Sequence, residues 1–125
     1  MLNAKSAAAV LPASDLDRAR QYYNDKLGWE PTGQDAGGLM YTIGSTELYV
    51  YETTFAGTAQ NTAFMVEVDD IEAAVAELRG AGVAFADYDM PGLTTVNGIA
   101  DLEGEKAAWF TDSEGNIIAL GQRSG

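Results

Sequence analysis

The chain carries few side chains that could do catalytic chemistry, and those it has are carboxylates. Histidine and cysteine are absent from its 125 residues. A catalytic thiol, an imidazole base and a Cys/His metal cluster are therefore excluded. We find no nucleophile–base pair and no glycine-rich phosphate loop. The remaining candidates for general acid or base on a bound carbonyl compound are the carboxyl groups of Glu47, Glu67, Asp87 and Asp89.

The charge balance limits the classes of partner. Nineteen acidic and seven basic residues give a formal net charge of −12. Such a field repels nucleic-acid phosphates and anionic lipids, so we expect neither nucleic acid nor a membrane as partner. It would attract a cationic small molecule; the alternative interpretation is that it only keeps the protein in solution. No apolar stretch approaches the roughly 18 residues of a membrane helix, and the expected location is the cytoplasm.

Two segments have the pattern of an amphipathic helix. The first is expected to begin at an N-cap Ser14 and to end at Gly28. The second is expected to begin after Asp69 and to end in the glycines at 80–82. Their apolar faces consist of Leu16, Ala19, Tyr23 and Leu27 in the first, and Ile71, Ala74, Val75 and Leu78 in the second.

Each helix lies between short apolar segments that favour strands. Residues 87–97 interrupt this pattern and are expected to form a loop, either a lid over a ligand or a cover for a sheet edge. The last two strands are predicted to form a hairpin around residues 112–115. The expected strands are residues 6–11, 29–32, 38–43 and 47–53, then 62–68, 83–86, 99–102, 106–111 and 116–121.

The order strand, helix, three strands thus occurs twice, and Asp70 lies 55 positions after Asp15, as expected for an internal duplication.

Three segments carry a resemblance to the vicinal oxygen chelate superfamily, which includes glyoxalases, bleomycin-resistance proteins and extradiol dioxygenases. They are SDLDRARQYYNDKLGWE, VEVDDIEAAVAELRGAGV and AAWFTDSEGNIIALGQ. The resemblance implies an α+β fold with two βαβββ modules forming cupped mixed sheets. It also implies one domain over residues 1–125, with modules at about 6–53 and 62–122.

Metal-dependent members of this superfamily hold a divalent ion with one ligand on each of four strands. The resemblance places three of these positions at Ala8, Ala63 and Ala119. The fourth falls at Glu47 or Tyr49, depending on a strand register that the sequence leaves open. A methyl group cannot coordinate a metal, so we predict that the chain has no metal ion and no cofactor, and that it is neither a metal-dependent glyoxalase nor an extradiol dioxygenase.

Without a metal, the concave face of the sheets would offer an apolar and aromatic cavity. Ala63 and Ala119 would leave room at its floor, and Phe110 is expected to share their face while Trp109 points towards the helices. Tyr41, Tyr49 and Tyr51 compete for the cavity, although each could instead lie in the core or at a dimer interface. The candidate ligand-binding residues are Tyr41, Tyr49, Tyr51, Ala63, Met65, Glu67, Met90, Phe110 and Ala119.

From these observations we expect a metal-independent protein that sequesters an aromatic or cationic small molecule, and not an enzyme. The resemblance also implies a homodimer. Two alternatives are a metal-independent lyase or isomerase that uses a carboxylate as acid or base, and an interaction domain without a ligand.

Overall fold

The computed structural model describes residues 1–123 and has two mixed β-sheets with both helices packed against one side. Among the described residues, no helix is long and apolar enough to span a membrane. The helices are α1 (Leu16–Tyr22), continued by a π-helical turn (Tyr23–Leu27), and α2 (Ile71–Gly80). The strands are β1 (Ala8–Ala13), β2 (Gly33–Gln34), β3 (Gly38–Ile43), β4 (Thr46–Glu52), β5 (Thr62–Glu67), β6 (Asp89–Met90), β7 (Leu93–Val96), β8 (Ile99–Leu102), β9 (Glu105–Thr111) and β10 (Ile117–Arg123).

The α+β class with two mixed sheets is confirmed. The first sheet has the order β1-β4-β3-β2 and the second β5-β10-β9-β8-β7-β6. In each sheet the strand before the helix pairs in parallel with the last strand of its half, β1 with β4 and β5 with β10, while all other pairs are antiparallel. The first half is a βαβββ unit, whereas the second has five strands after its helix.

The two helices begin in the same way. Asp15 is extended, and its carboxylate accepts a hydrogen bond from the Arg18 N–H at 3.0 Å. Asp70, 55 positions later, does the same with the Ala73 N–H at 3.1 Å. The predicted caps at Ser14 and Asp69 are therefore each wrong by one residue, because the aspartate at the following position accepts an N–H group of the first turn.

Two predicted strands are not strands. Trp29 donates its N–H to the Tyr23 carbonyl at 2.9 Å and so completes the end of the helical segment. Val83 likewise donates to the Leu78 carbonyl at 2.9 Å, and only one isolated bridge joins Phe85 to Phe110. Because these N–H groups donate to the last carbonyls of the helices, they are not available for hydrogen bonds to a neighbouring strand.

Residues 87–97 contain paired strands and not the predicted loop. β6 and β7 pair antiparallel, and β7 pairs with β8, which extends the second sheet beyond α2. Gly92 follows Pro91 between β6 and β7 with φ +81°, a left-handed conformation that glycine adopts readily in tight turns. The segment therefore extends the second sheet with strands of its own.

The predicted turn between β9 and β10 is confirmed, and it also joins the two halves. The Gly115 N–H reaches the Asp112 carbonyl at 3.3 Å. The Asp112 carboxylate accepts the Tyr23 hydroxyl at 2.5 Å, and the Asn116 amide donates to the Pro12 carbonyl at 2.9 Å. A turn of the second half is thus hydrogen-bonded to the helix and first strand of the first half.

Candidate functional site

The side of the two sheets that points away from α1 and α2, here called the concave face, is left uncovered by the chain. In β1, Leu11 and Ala13 are buried against the helices, while Val10, directly before Leu11, is 54% exposed. In β5, Met65 is 57% exposed. Alternate residues of a strand point to opposite faces, so large apolar side chains on this face remain open to solvent.

The register of β4 decides which residue takes the fourth position of the family's metal site. Val10 pairs with Tyr49, just as Met65, 55 positions after Val10, pairs with Ala119. Tyr49 is therefore the counterpart of Ala119 in the first half. Glu47, the other candidate, pairs with Ala8 and accepts a hydrogen bond from the Thr42 hydroxyl at 3.1 Å.

These four positions do not fit a divalent metal. Three are alanines, Ala8, Ala63 and Ala119, which have no donor atom in the side chain. The fourth, Tyr49, already donates its phenol proton to Asp35 at 2.7 Å. Among residues 1–123, no group of three or more acidic, histidine or cysteine side chains is placed to hold an ion.

The prediction that Phe110 shares a face with Ala119 is wrong. In the β9–β10 pair, Ala119 lies opposite Trp109, and Phe110 lies opposite Ile118. Ile118 is fully buried under the helices, so Phe110, 2% exposed, belongs to the core and packs on Phe85 with ring centroids 5.6 Å apart. Trp109 is therefore on the concave face and does not pack against the helices, because the predicted register was one residue off.

Trp109 is part of an aromatic wall that the sequence pattern did not reveal. Its ring meets that of Tyr88 edge-on, with centroids 5.4 Å apart and an interplanar angle of 90°. Both side chains are half-buried. Tyr88 directly precedes the β6–β7 hairpin, in which Met90 is exposed. The only available signal was the content of bulky residues in 87–97, and it did not indicate which of them meet Trp109.

The three candidate tyrosines divide between the two faces. Tyr41 is fully buried, packs edge-on against Tyr23 at 5.7 Å, and has no hydrogen-bond partner for its hydroxyl among the described residues. Burial raises the pKa of Tyr41, so it is an uncharged core residue. Tyr49 and Tyr51 alternate with buried Leu48 and Val50 and therefore lie on the concave face.

The two alanines proposed to make room differ in exposure. Ala63 is exposed on edge strand β5. Ala119 is only 4% exposed, because its strand lies between β5 and β9, where Met65 and Trp109 are its neighbours. Ala63 is therefore the more accessible of the two alanines.

Two cavities border β5, and Met65 and Glu67 line both. One, of about 350 Å³, includes the β3–β4 turn. The other, of about 90 Å³, includes Leu102 and Ala107. A larger groove of about 780 Å³ lies on the opposite side of the second sheet, between α2 and β7–β8.

The candidate acids occupy different surroundings. Glu67 is on the concave face, with a carboxylate oxygen 3.8 Å from the Arg123 guanidinium. Asp87 instead accepts hydrogen bonds from the Thr95 hydroxyl and the Gly98 N–H, both at 3.0 Å, and so holds the start of the β6–β7 hairpin. Asp89 is exposed within β6.

Comparison with known proteins establishes the family. Residues 5–120 match the Glyoxalase/Bleomycin resistance protein/Dioxygenase superfamily. The chain belongs to this superfamily, as its resemblance predicted. No curated protein sequence matches it significantly.

Several solved structures share the fold over nearly the whole chain. TnmS3, an antibiotic-binding protein from Streptomyces sp. CB03234, is 23% identical with a TM-score of 0.68, covering 98% of this chain and 100% of its own. A bleomycin-binding protein complexed with bleomycin is 20% identical with a TM-score of 0.72, covering 97% and 100%. FosX, a fosfomycin resistance protein from Listeria monocytogenes, is 10% identical with a TM-score of 0.72, covering 98% and 96%. At these identities the likeness shows the fold alone.

Proposed function

We propose that this protein binds an aromatic or cationic small molecule on its concave face without a metal ion. The observation that carries the proposal is the replacement of the metal-ligand set by three alanines and a tyrosine engaged with Asp35. A site that cannot polarise a substrate through a metal retains shape and apolar surface, which are the features of a binding pocket.

The side chains around these positions are of the kind that bind organic molecules. Tyr51 and Met65 are exposed, and Trp109 presents a half-buried ring with Tyr88 against its edge. Aromatic and methionine side chains supply large adaptable contact surfaces for flat ligands. Glu67 adds a carboxylate to the same face.

Two structural relatives support an antibiotic or antibiotic-like ligand: one is an antibiotic-binding protein and the other is complexed with bleomycin. The net charge of −12 favours a positively charged guest. A homodimer would complete the site, because Val10, Met65 and Met90 are about half exposed in a single chain and a second copy would cover them.

The proposal can be tested by titration calorimetry on chelator-treated protein against a panel of flat aromatic and cationic compounds that includes bleomycin. Binding should be retained without metal and should be abolished by Ala63→Phe, because the added ring fills the exposed floor beside Met65. Ala73→Phe, on the exposed side of α2, is the matched control and should bind like the parent protein.

Equal affinity in the parent and Ala63→Phe would mean that the ligand sits elsewhere. Binding that requires an added divalent metal would contradict the proposal. Turnover of a panel compound that is lost in Glu67→Gln would favour the metal-independent lyase or isomerase instead.

A further inference from the structure

The hydroxyl of Tyr49 is held by a loop built around it. It donates to Oδ1 of Asp35 at 2.7 Å, and the same oxygen accepts the N–H groups of Gly37 at 2.9 Å and Gly38 at 3.0 Å. A Cβ atom at Gly37 would lie 2.7 Å from the Tyr49 hydroxyl oxygen and 3.6 Å from Oδ1 of Asp35. Position 37 therefore requires a glycine if the phenol is to keep this place.

This arrangement leaves the pair with acceptors only. The single proton of the phenol is used by Asp35, so the Tyr49 oxygen can offer only lone pairs to a ligand. Oδ2 of Asp35 receives no hydrogen bond from the described residues, and it is a second free acceptor. The hydrogen bonds from Tyr49 and Gly37 lower the pKa of Asp35, and the bond to Asp35 raises the pKa of Tyr49. At neutral pH the pair therefore carries a single negative charge.

The place of the pair on the concave face suggests what it recognises. Tyr49 lies beside Val10 and takes the position that corresponds to Ala119 in the second half. The second half contributes Trp109 and Tyr88, which offer ring surface and no charge. The two halves thus differ chemically, with an anionic acceptor pair in one and an aromatic wall in the other.

We infer that the Tyr49–Asp35 pair binds the protonated amine of an aromatic ligand, an inference that rests on the proposed function. An ammonium group supplies the N–H donors and the positive charge that an acceptor-only anionic pair lacks, and it gains charge-assisted hydrogen bonds. A neutral alcohol gains less, and a carboxylate is repelled. The ligand class is therefore an amphiphilic aromatic amine.

A matched trio of probes tests this inference. 1-Naphthylmethylamine is cationic at neutral pH, 1-naphthalenemethanol is its neutral analogue, and 1-naphthoate is the anionic one. Dissociation constants follow from chemical-shift titrations of the intact protein. The pair is exposed to solvent, so the parent should bind the amine about threefold more tightly than the alcohol, which is the scale of an exposed charge interaction. It should bind the naphthoate most weakly.

Asp35→Asn and Tyr49→Phe should each remove most of this preference, because they weaken binding of the amine more than binding of the alcohol. Gly37→Ala should do the same while keeping both polar groups, because the new methyl group displaces the phenol. Two controls separate this effect from the general field of the protein: Glu77→Gln removes an exposed acid from α2, and Tyr22→Phe removes a phenol from the helix side. Both should keep the preference.

The possible failures are distinguishable. If the parent binds the amine and the alcohol equally, the proposed function stands and the amine site is wrong. If Asp35→Asn and Tyr49→Phe keep the parent's preference, the amine is recognised elsewhere and the inference is overturned. If Glu77→Gln loses the preference as fully as Asp35→Asn, the overall charge is responsible and the inference is again overturned. If no probe binds the parent, the proposed function itself fails.

Discussion

Glu114 in the β9–β10 turn should make the stability of this protein depend on pH. Its side chain is fully buried, and one carboxylate oxygen accepts the backbone N–H groups of Ser14 at 3.0 Å and Asp15 at 3.1 Å. Arg18 donates to both oxygens, from Nε at 2.8 Å and from Nη2 at 3.0 Å, and the Ser113 hydroxyl donates at 2.7 Å. One carboxylate thus joins the second half to the start of α1.

The magnitude follows from the pKa. Burial alone would raise the pKa of Glu114. This effect is outweighed by hydrogen bonds from Arg18, Ser113 and the Asp15 N–H and by the positive charge of Arg18, which together lower the pKa from 4.5 to about 2. Each pKa unit corresponds to about 1.4 kcal/mol, so the ionised group contributes about 3 kcal/mol to the free energy of unfolding. Because the folded pKa is the lower one, this contribution is complete above pH 4.5 and is lost as the pH falls towards 2.

Glu114→Gln keeps the shape of the side chain and removes its charge. We expect a loss of about 3 kcal/mol in the free energy of unfolding at pH 7, since an amide N–H₂ would then face the donors of Arg18 and α1. Urea unfolding at pH 7, 4.5 and 3 measures it. The difference between parent and variant should shrink as the pH falls below 4.5, because Glu114 of the unfolded parent then binds a proton that the folded parent binds only near pH 2.

Glu77→Gln on the exposed surface of α2 is the matched control and should change stability by less than about 0.5 kcal/mol. A Glu114→Gln protein as stable as the parent at pH 7, or one whose deficit stays constant down to pH 3, would refute the reasoning. If the variant does not fold, Arg18→Lys retains the charge but loses the paired guanidinium geometry, and its smaller deficit should show the same decline with pH.

Three further predictions follow from the two faces of the sheets and the turn between the halves. Phe110→Ala should cost about 3–5 kcal/mol of unfolding free energy, whereas Trp109→Ala should cost less and should weaken ligand binding. Denaturation measures the first effect and calorimetry the second. A larger loss of stability in Trp109→Ala than in Phe110→Ala would restore the sequence-based assignment. Gly115→Ala should lower the melting temperature by several degrees, because φ is +86° and a Cβ atom would lie 2.6 Å from the Gly57 Cα; an unchanged melting temperature would show that this approach is not tight. Elemental analysis of protein purified without chelator should find transition metal well below one equivalent per chain. The reason is that the four positions corresponding to the family's metal ligands are three alanines and a tyrosine that is hydrogen-bonded to Asp35. A full equivalent on the concave face would contradict the site described above.

The sequence by itself determined the features that depend on local signals. A polar cap, predicted at Ser14 and Asp69 and found one residue later, together with apolar residues at helical spacing, predicted the starts of both helices to within one residue. Gly28 ends the first helical segment with φ +71° as expected. β3 and β8 have the predicted bounds. The 55-residue offset between Asp15 and Asp70 holds in the structure. Capping, termination and periodicity act over a few residues, so a single sequence reveals them.

The tertiary structure decided which side chains face the site. A strand has a side-chain period of two, so a shift of one residue in pairing moves every side chain to the opposite face. Apolar residues occur consecutively in Ala107-Ala108-Trp109-Phe110 and in Ile117-Ile118-Ala119-Leu120, and alternation therefore gave no register. Only the pairing of Ala119 with Trp109 showed that the tryptophan, and not Phe110, is at the candidate site.

Long-range partners were equally invisible in the sequence. Glu114 meets Arg18 across 96 residues, and Tyr49 meets Asp35 across a loop in which a Cβ atom at position 37 would crowd the phenol. Neither pair has a fixed spacing or a motif, because each depends on how separate strands and helices pack. The sequence predicted both helices, most of the strands and alanine at three of the positions that correspond to the family's metal site. The packing of the elements placed Tyr49 with Asp35, and Trp109 with Tyr88, on the concave face.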